Sequence, residues 1–69
     1  REDLAAAVRE GALERLRPEE RDAIVGRIGM ALSYEELAET LGRPTPNAAR
    51  SAVVRALLRL EEEMGRARG

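Results

Sequence analysis

Cysteine and histidine are both absent from this chain of 69 residues. Their absence excludes disulfide staples, thiolate or imidazole metal sites, and thiol or imidazole catalysis, so helix packing alone must hold the fold. The lack of cysteine also fits a cytoplasmic location. Lysine is missing as well, and every cation is an arginine. That reads as the codon usage of a GC-rich genome, although arginine is also the better fork for phosphate and guanine. No apolar run approaches the roughly twenty residues a membrane span needs, and no signal peptide is visible, so the reading is of a soluble domain. β-Branched runs and hairpin dipeptides are absent, and nothing in the chain asks for a strand. A chain this short has room for one domain, which buries only a little over half of its unfolded surface, so its stability should be modest. It opens on Arg1 rather than methionine with a helical turn beginning almost at once, which is expected of a piece of something longer.

What is present is organised around Ser33 to Leu60. Ser33 followed three residues later by Glu36 is a capping box, so a helix is expected from Tyr34. Tyr34, Leu37, Ala38 and Leu41 share one face, expected to be buried. Gly42 can take positive φ and stop the helix, and Arg43-Pro44 makes the corner. Thr45 is a second N-cap with Pro46 at the first helical position. A short helix, a tight turn and a longer helix form the helix-turn-helix pattern, whose second member can lie in a DNA major groove.

Upstream, Asp3 to Leu16 reads as a first helix with Leu4, Val8, Ala12, Leu13 and Leu16 inward, weakened by Gly11. Arg17-Pro18 ends it. A second helix is expected from Pro18 to about Met30, with Glu19 and Glu20 complementing its dipole and Ala23, Ile24, Ile28 and Val25 inside. Gly26 and Gly29 weaken this helix and are read as sites of close helix packing rather than a hinge. The last helix should run from Pro46 to about Met64, with Gly65 to Gly69 fraying beyond a single domain of residues 1–64. The expected fold is all-α, a compact four-helix domain containing a helix-turn-helix.

Charge is distributed unevenly although the net value is −1. Residues 1–42 hold six arginines against ten acids, whereas residues 43–60 hold Arg43, Arg50, Arg55 and Arg59 and no acid. Glu61, Glu62 and Glu63 follow directly and should confine any DNA contact to the N-terminal half of the last helix. Around that helix Ala49, Val53, Ala56, Leu57, Leu60 and Met64 form the inner side. The opposite side carries Asn47, Arg50, Ser51, Val54, Arg55 and Leu58. Amide, hydroxyl and guanidinium groups in one outward stripe are the inventory for reading base edges and clamping phosphates. Val54 could meet a thymine methyl and Leu58 a partner, or both could be scattered surface apolar residues. Thr45 is a cap first and a phosphate contact second. The glutamate-rich segments read as solvated helix faces, and with the serines in capping or surface roles no enzyme, cofactor or metal site is expected.

Three segments together resemble region four of the bacterial sigma factors, the extracytoplasmic-function group in particular. They are L-R-P-E-E-R at Leu16 to Arg21, L-S-Y-E-E-L-A-E-T-L-G at Leu32 to Gly42, and A-A-R-S-A-V-V-R-A-L-L-R-L at Ala48 to Leu60. The resemblance implies a promoter-binding domain whose last helix enters the major groove of the minus-thirty-five element. The earlier helices would then hold the β flap of the RNA polymerase core. Arg50, Ser51 and Arg55 match polar members of that family's recognition helix, with Asn47 and Arg43 as neighbours. Ser33 and Tyr34 match the start of the helix that usually touches the phosphate backbone. An anti-sigma protein is a further partner the resemblance implies.

The sequence departs from the family pattern in three ways. The turn after Gly42 is one residue longer than usual. Ala49 replaces a usual valine, while Ala52 and Leu57 stand where basic residues are frequent, so DNA affinity should be weak. No promoter-melting region is present, and that activity would belong to another part of the parent protein. Two other readings remain: the output domain of another helix-turn-helix regulator, and a protein-interaction module in which Val54, Leu57 and Leu58 dock an anti-sigma protein, the polymerase or a second copy.

Overall fold

The structure, a computed structural model, describes the backbone of residues 2–68 and the side chains of residues 5–66. Four α-helices follow one another: α1 (Glu2–Glu10), α2 (Pro18–Ile24), α3 (Tyr34–Leu41) and α4 (Pro46–Arg68). No strand occurs among the described residues, so the all-α expectation is met. The long α4 is the spine, and α1, α2 and α3 all pack along it. At about 1.5 Å per residue its 23 residues span most of the 37 Å long axis of the molecule.

The first helix is shorter than the periodicity suggests. Gly11 takes φ 73°, which breaks the helix after Glu10, and a single 3-10 turn (Ala12–Arg15) carries the chain to the corner at Leu16. The break changes the phase of the inner face. Ala7, Ala12 and Leu16 are buried, whereas Val8, expected inside, is 59% exposed. Leu4 lies outside the described side chains.

α2 begins as expected at Pro18 but does not stay α-helical to Met30. From Val25 to Gly29 it widens into a turn of π-helix, closed by Met30 N donating to Val25 O at 2.9 Å. Ala23 and Ile24 remain in the core, but the wider turn leaves Val25 exposed and brings Gly26 inward. A Cβ on Gly26 would lie 2.7 Å from Leu37 Cδ1 of α3, so the missing side chain is what lets the two helices approach. Gly29 is exposed and meets only Val25 Cγ1 at 3.8 Å, so close packing explains the first glycine and not the second. Past the π turn, Ala31 takes φ 57°, a left-handed conformation disfavoured for a residue with a Cβ.

In α4, Ala49, Val53, Ala56, Leu60 and Met64 are buried as expected, but Leu57 is 39% exposed. The buried arc also takes in Ala52 and Glu63, which rotates it away from Leu57. The helix continues to Arg68, four residues past the expected end, and residue 69 lies outside the described residues. Glu63 overturns the reading of Glu61 to Glu63 as a uniformly solvated run, because it is buried and bound by arginines on both sides.

Candidate nucleic-acid interface

Two caps fix the corner between α3 and α4. Ser33 Oγ accepts from Glu36 N at 3.1 Å while Glu36 Oε1 accepts from Ser33 N at 2.8 Å, the reciprocal pair expected of a capping box. Tyr34 follows, with its ring half-buried beneath the Arg27 guanidinium at 4.2 Å. Arg27 also donates to Leu32 O at 2.7 Å, so one side chain from the π turn steadies the entry to α3. At the other end Gly42 adopts φ 69°, and Arg43 N returns to Ala38 O at 2.8 Å. This satisfies the last carbonyls of α3 and turns the chain sharply. Thr45 Oγ1 then accepts from Ala48 N at 3.1 Å and starts α4.

The stripe expected to face outward does so. Asn47, Arg50, Val54, Arg55 and Leu58 are exposed and Ser51 is half-buried. Among the described residues neither Arg50 nor Arg55 is in an ion pair, and these are the two cations of α4's first half. Of the remaining two arginines of the basic stretch, one is firmly held and the other only loosely paired. Arg59 is held by Glu62 at 3.2 Å and Glu63 at 3.1 Å, and Arg43 sits 3.8 Å from Glu19. The free positive charge is therefore narrower than the sequence suggests and lies toward the capped end of α4. Val54 and Leu58, with Leu57 beside them, leave an apolar band next to it.

One flank of the stripe opens into a cleft of about 260 Å³ lined by Arg17, Glu19, Glu20, Arg43, Ala52 and Arg55. Local periodicity gives no sign of it, because the start of α2, the α3–α4 turn and the middle of α4 come together only in the folded chain. Arg17, Glu19 and Glu20 read in sequence as a corner and a dipole complement, and no local pattern identifies them as neighbours of Arg43 and Arg55. A guanidinium stripe beside a helix-turn-helix corner can grip phosphates and read base edges.

The family described as Sigma-70, region 4 matches residues 10–60, from the end of α1 to the middle of α4. The chain belongs to this family. No curated protein and no solved structure matches it. As a sigma region 4 domain it is a DNA-binding helix-turn-helix unit of transcription initiation, in a regulatory rather than an enzyme family. Sigma region 4 domains bind promoter DNA and RNA polymerase, and promoter recognition by a sigma factor is the role this membership gives the chain. No helix among the described residues is long and apolar enough to cross a membrane. The matched segment contains the whole α3–turn–α4 corner and the cleft residues, while Glu63 lies beyond it.

Proposed function

We propose that α4 of this sigma region 4 domain enters the major groove of the minus-thirty-five promoter element, as in the extracytoplasmic-function group that its motifs resemble. Arg50 and Arg55 reach base edges or phosphates, Asn47 and Ser51 add an amide and a hydroxyl, and Val54 offers a methyl surface to thymine. Ser33, Tyr34, Arg43 and Thr45 stand along the corner that meets the phosphate backbone. The observation carrying this reading is that Arg50 and Arg55 are exposed on one face with no acidic partner among the described residues. The earlier helices hold the β flap of the polymerase core, and the setting is the cytoplasm.

The test is selection of duplexes from a random-sequence pool, followed by binding of the selected duplex to Arg50→Ala and Arg55→Ala. Each variant should lose about 1–3 kcal/mol where the arginine reads a base, or flatten the salt slope by about 0.9 where it holds a phosphate. Wild-type affinity in both variants, with unchanged circular dichroism, overturns the assignment of this face.

A protein-binding role alongside DNA is favoured by one observation, the exposure of Val54, Leu57 and Leu58 on adjoining turns of α4. An anti-sigma protein covering that band would hide the arginine stripe at the same time. Light scattering and binding to the polymerase core without DNA separate this role from the first.

A further inference from the structure

The cleft beside the stripe contains an arrangement that groove reading by α4 does not use. Arg17, Arg43 and Arg55 come from three parts of the chain and line one opening of about 260 Å³. Arg43 Nε is buried with no hydrogen-bond partner, while the side chain as a whole stays 35% exposed and lines the opening. Its one ion-pair partner among the described residues is Glu19, at 3.8 Å from Nη2, which is beyond hydrogen-bond distance. The Glu19 side chain is 66% exposed and free to leave. Glu20 is committed elsewhere, because its Oε1 accepts from Arg17 N at 3.0 Å. Arg17 and Arg55 have no ion pair among the described residues. Three guanidiniums line an opening that the two carboxylates of Glu19 and Glu20 only partly neutralise, and of these Glu19 is the loosely held one.

We propose that this cleft seats a backbone phosphate of bound DNA, gripped by Arg17, Arg43 and Arg55, and that Glu19 stands in for that phosphate until DNA arrives. The proposal rests on α4 facing DNA, since Arg55 belongs both to the outward stripe and to the cleft. A phosphate offers more acceptor oxygens than the carboxylate it displaces and suits the forked donors of arginine. Glu19 thus lowers the affinity of the domain for any duplex and leaves more of the discrimination to base contacts, because a phosphate seat carries no sequence information.

The experiment is a double-mutant cycle on the 69-residue chain, read by fluorescence anisotropy with a labelled mixed-sequence duplex over a series of salt concentrations. Glu19→Gln should tighten binding by about two- to fivefold, the range of an exposed ion pair released. Arg43→Ala should weaken it and reduce the salt slope by about 0.9, one phosphate's share. In the Arg43→Ala background Glu19→Gln should change nothing, because its effect runs through Arg43. A gain that persists without Arg43 is general charge repulsion and overturns the proposal, as does the absence of any gain. Should Arg43→Ala lose its helical circular dichroism, Arg43→Gln takes its place in the cycle. Arg50→Ala is measured in parallel. If it weakens binding while Glu19→Gln is silent, only the phosphate seat fails, and if it too is silent the DNA-facing assignment of α4 has failed.

Discussion

Glu63 on α4 accepts a hydrogen bond from Arg15 Nε at 3.2 Å, joining the 3-10 turn to a residue 48 positions further along the chain. The same carboxylate is bound by Arg59 at 3.1 Å and by Arg66. One buried acid thus gathers three guanidiniums from both sides of the helix. Glu63→Gln keeps the volume and removes the charge, which leaves those arginines without their common partner. Its thermal midpoint should fall below wild type, and by more than that of Glu62→Gln, whose side chain is 63% exposed in a single surface pair. Equal midpoints for the two variants by circular dichroism would show the buried cluster to be neutral.

The cluster also sets a pH dependence. Burial pushes the Glu63 carboxyl up, but Arg66, Arg15 and Arg59 outweigh it and hold the group below the usual glutamate value of 4.5. A carboxyl lowered on folding contributes stability that is fully present above its unfolded value and is lost as pH falls through its folded value. The difference in stability between wild type and Glu63→Gln should therefore be constant at neutral pH and shrink as pH falls below about 4.5. Denaturant midpoints of the two proteins measured across that acid range check the sign.

Gly26 and Gly29 separate two effects that glycine can have in a helix. At Gly26 an added methyl meets Leu37 Cδ1 at 2.7 Å and Leu32 Cδ1 at 3.4 Å, and Leu37 is fully buried and has little room to yield. Gly26→Ala should destabilise by about 1–2 kcal/mol, the overpacking cost exceeding the gain in helix propensity. At Gly29 the nearest atom is an ordinary contact at 3.8 Å, so Gly29→Ala should be neutral or stabilise by up to about 1 kcal/mol. Chemical denaturation of the pair gives the answer, and equal shifts would mean the approach of α3 does not depend on Gly26.

Features fixed within a few residues were legible in advance. Both caps of the corner, the stop at Gly42 and the inner positions Leu37, Ala49 and Val53 follow from local chemistry and helical period, and each occurs where the sequence implies it. The failures share a different cause. Gly11 is compatible with helix by spacing alone, and its positive φ, followed by the buried Ala12 and Leu16, is what breaks α1. Val25 and Leu57 lie outside although their spacing places them inside, because a π turn in one case and a buried acid in the other rotate the inner arc. The cleft at Arg43 and the cluster at Glu63 depend on contacts between distant segments, which period and spacing cannot report.

Leu37 is one of the two largest side chains with no exposure, and it fills the space that Gly26 leaves open. Leu37→Ala should cost about 2–5 kcal/mol. A domain of this size typically holds about 0.05–0.15 kcal/mol per residue, so that loss consumes much or all of its stability. The variant should show a broad, low-temperature melt or none, and a cooperative wild-type-like transition would place the main hydrophobic contact elsewhere.

Thr45 allows the structural and DNA-facing roles of the corner to be separated at one position. Its Oγ1 accepts from Ala48 N at 3.1 Å, so Thr45→Ala should lose about 1 kcal/mol of stability. Thr45→Asp keeps an acceptor at the cap and places negative charge at the positive end of α4, so its stability should equal or exceed that of wild type. The same charge faces the phosphates if this corner lies on DNA, and duplex binding should weaken even though the fold is preserved. Melting and anisotropy titrations of both variants decide the matter. Undiminished affinity in a stable Thr45→Asp protein would remove the corner from the DNA-facing surface and leave Thr45 with its capping role alone.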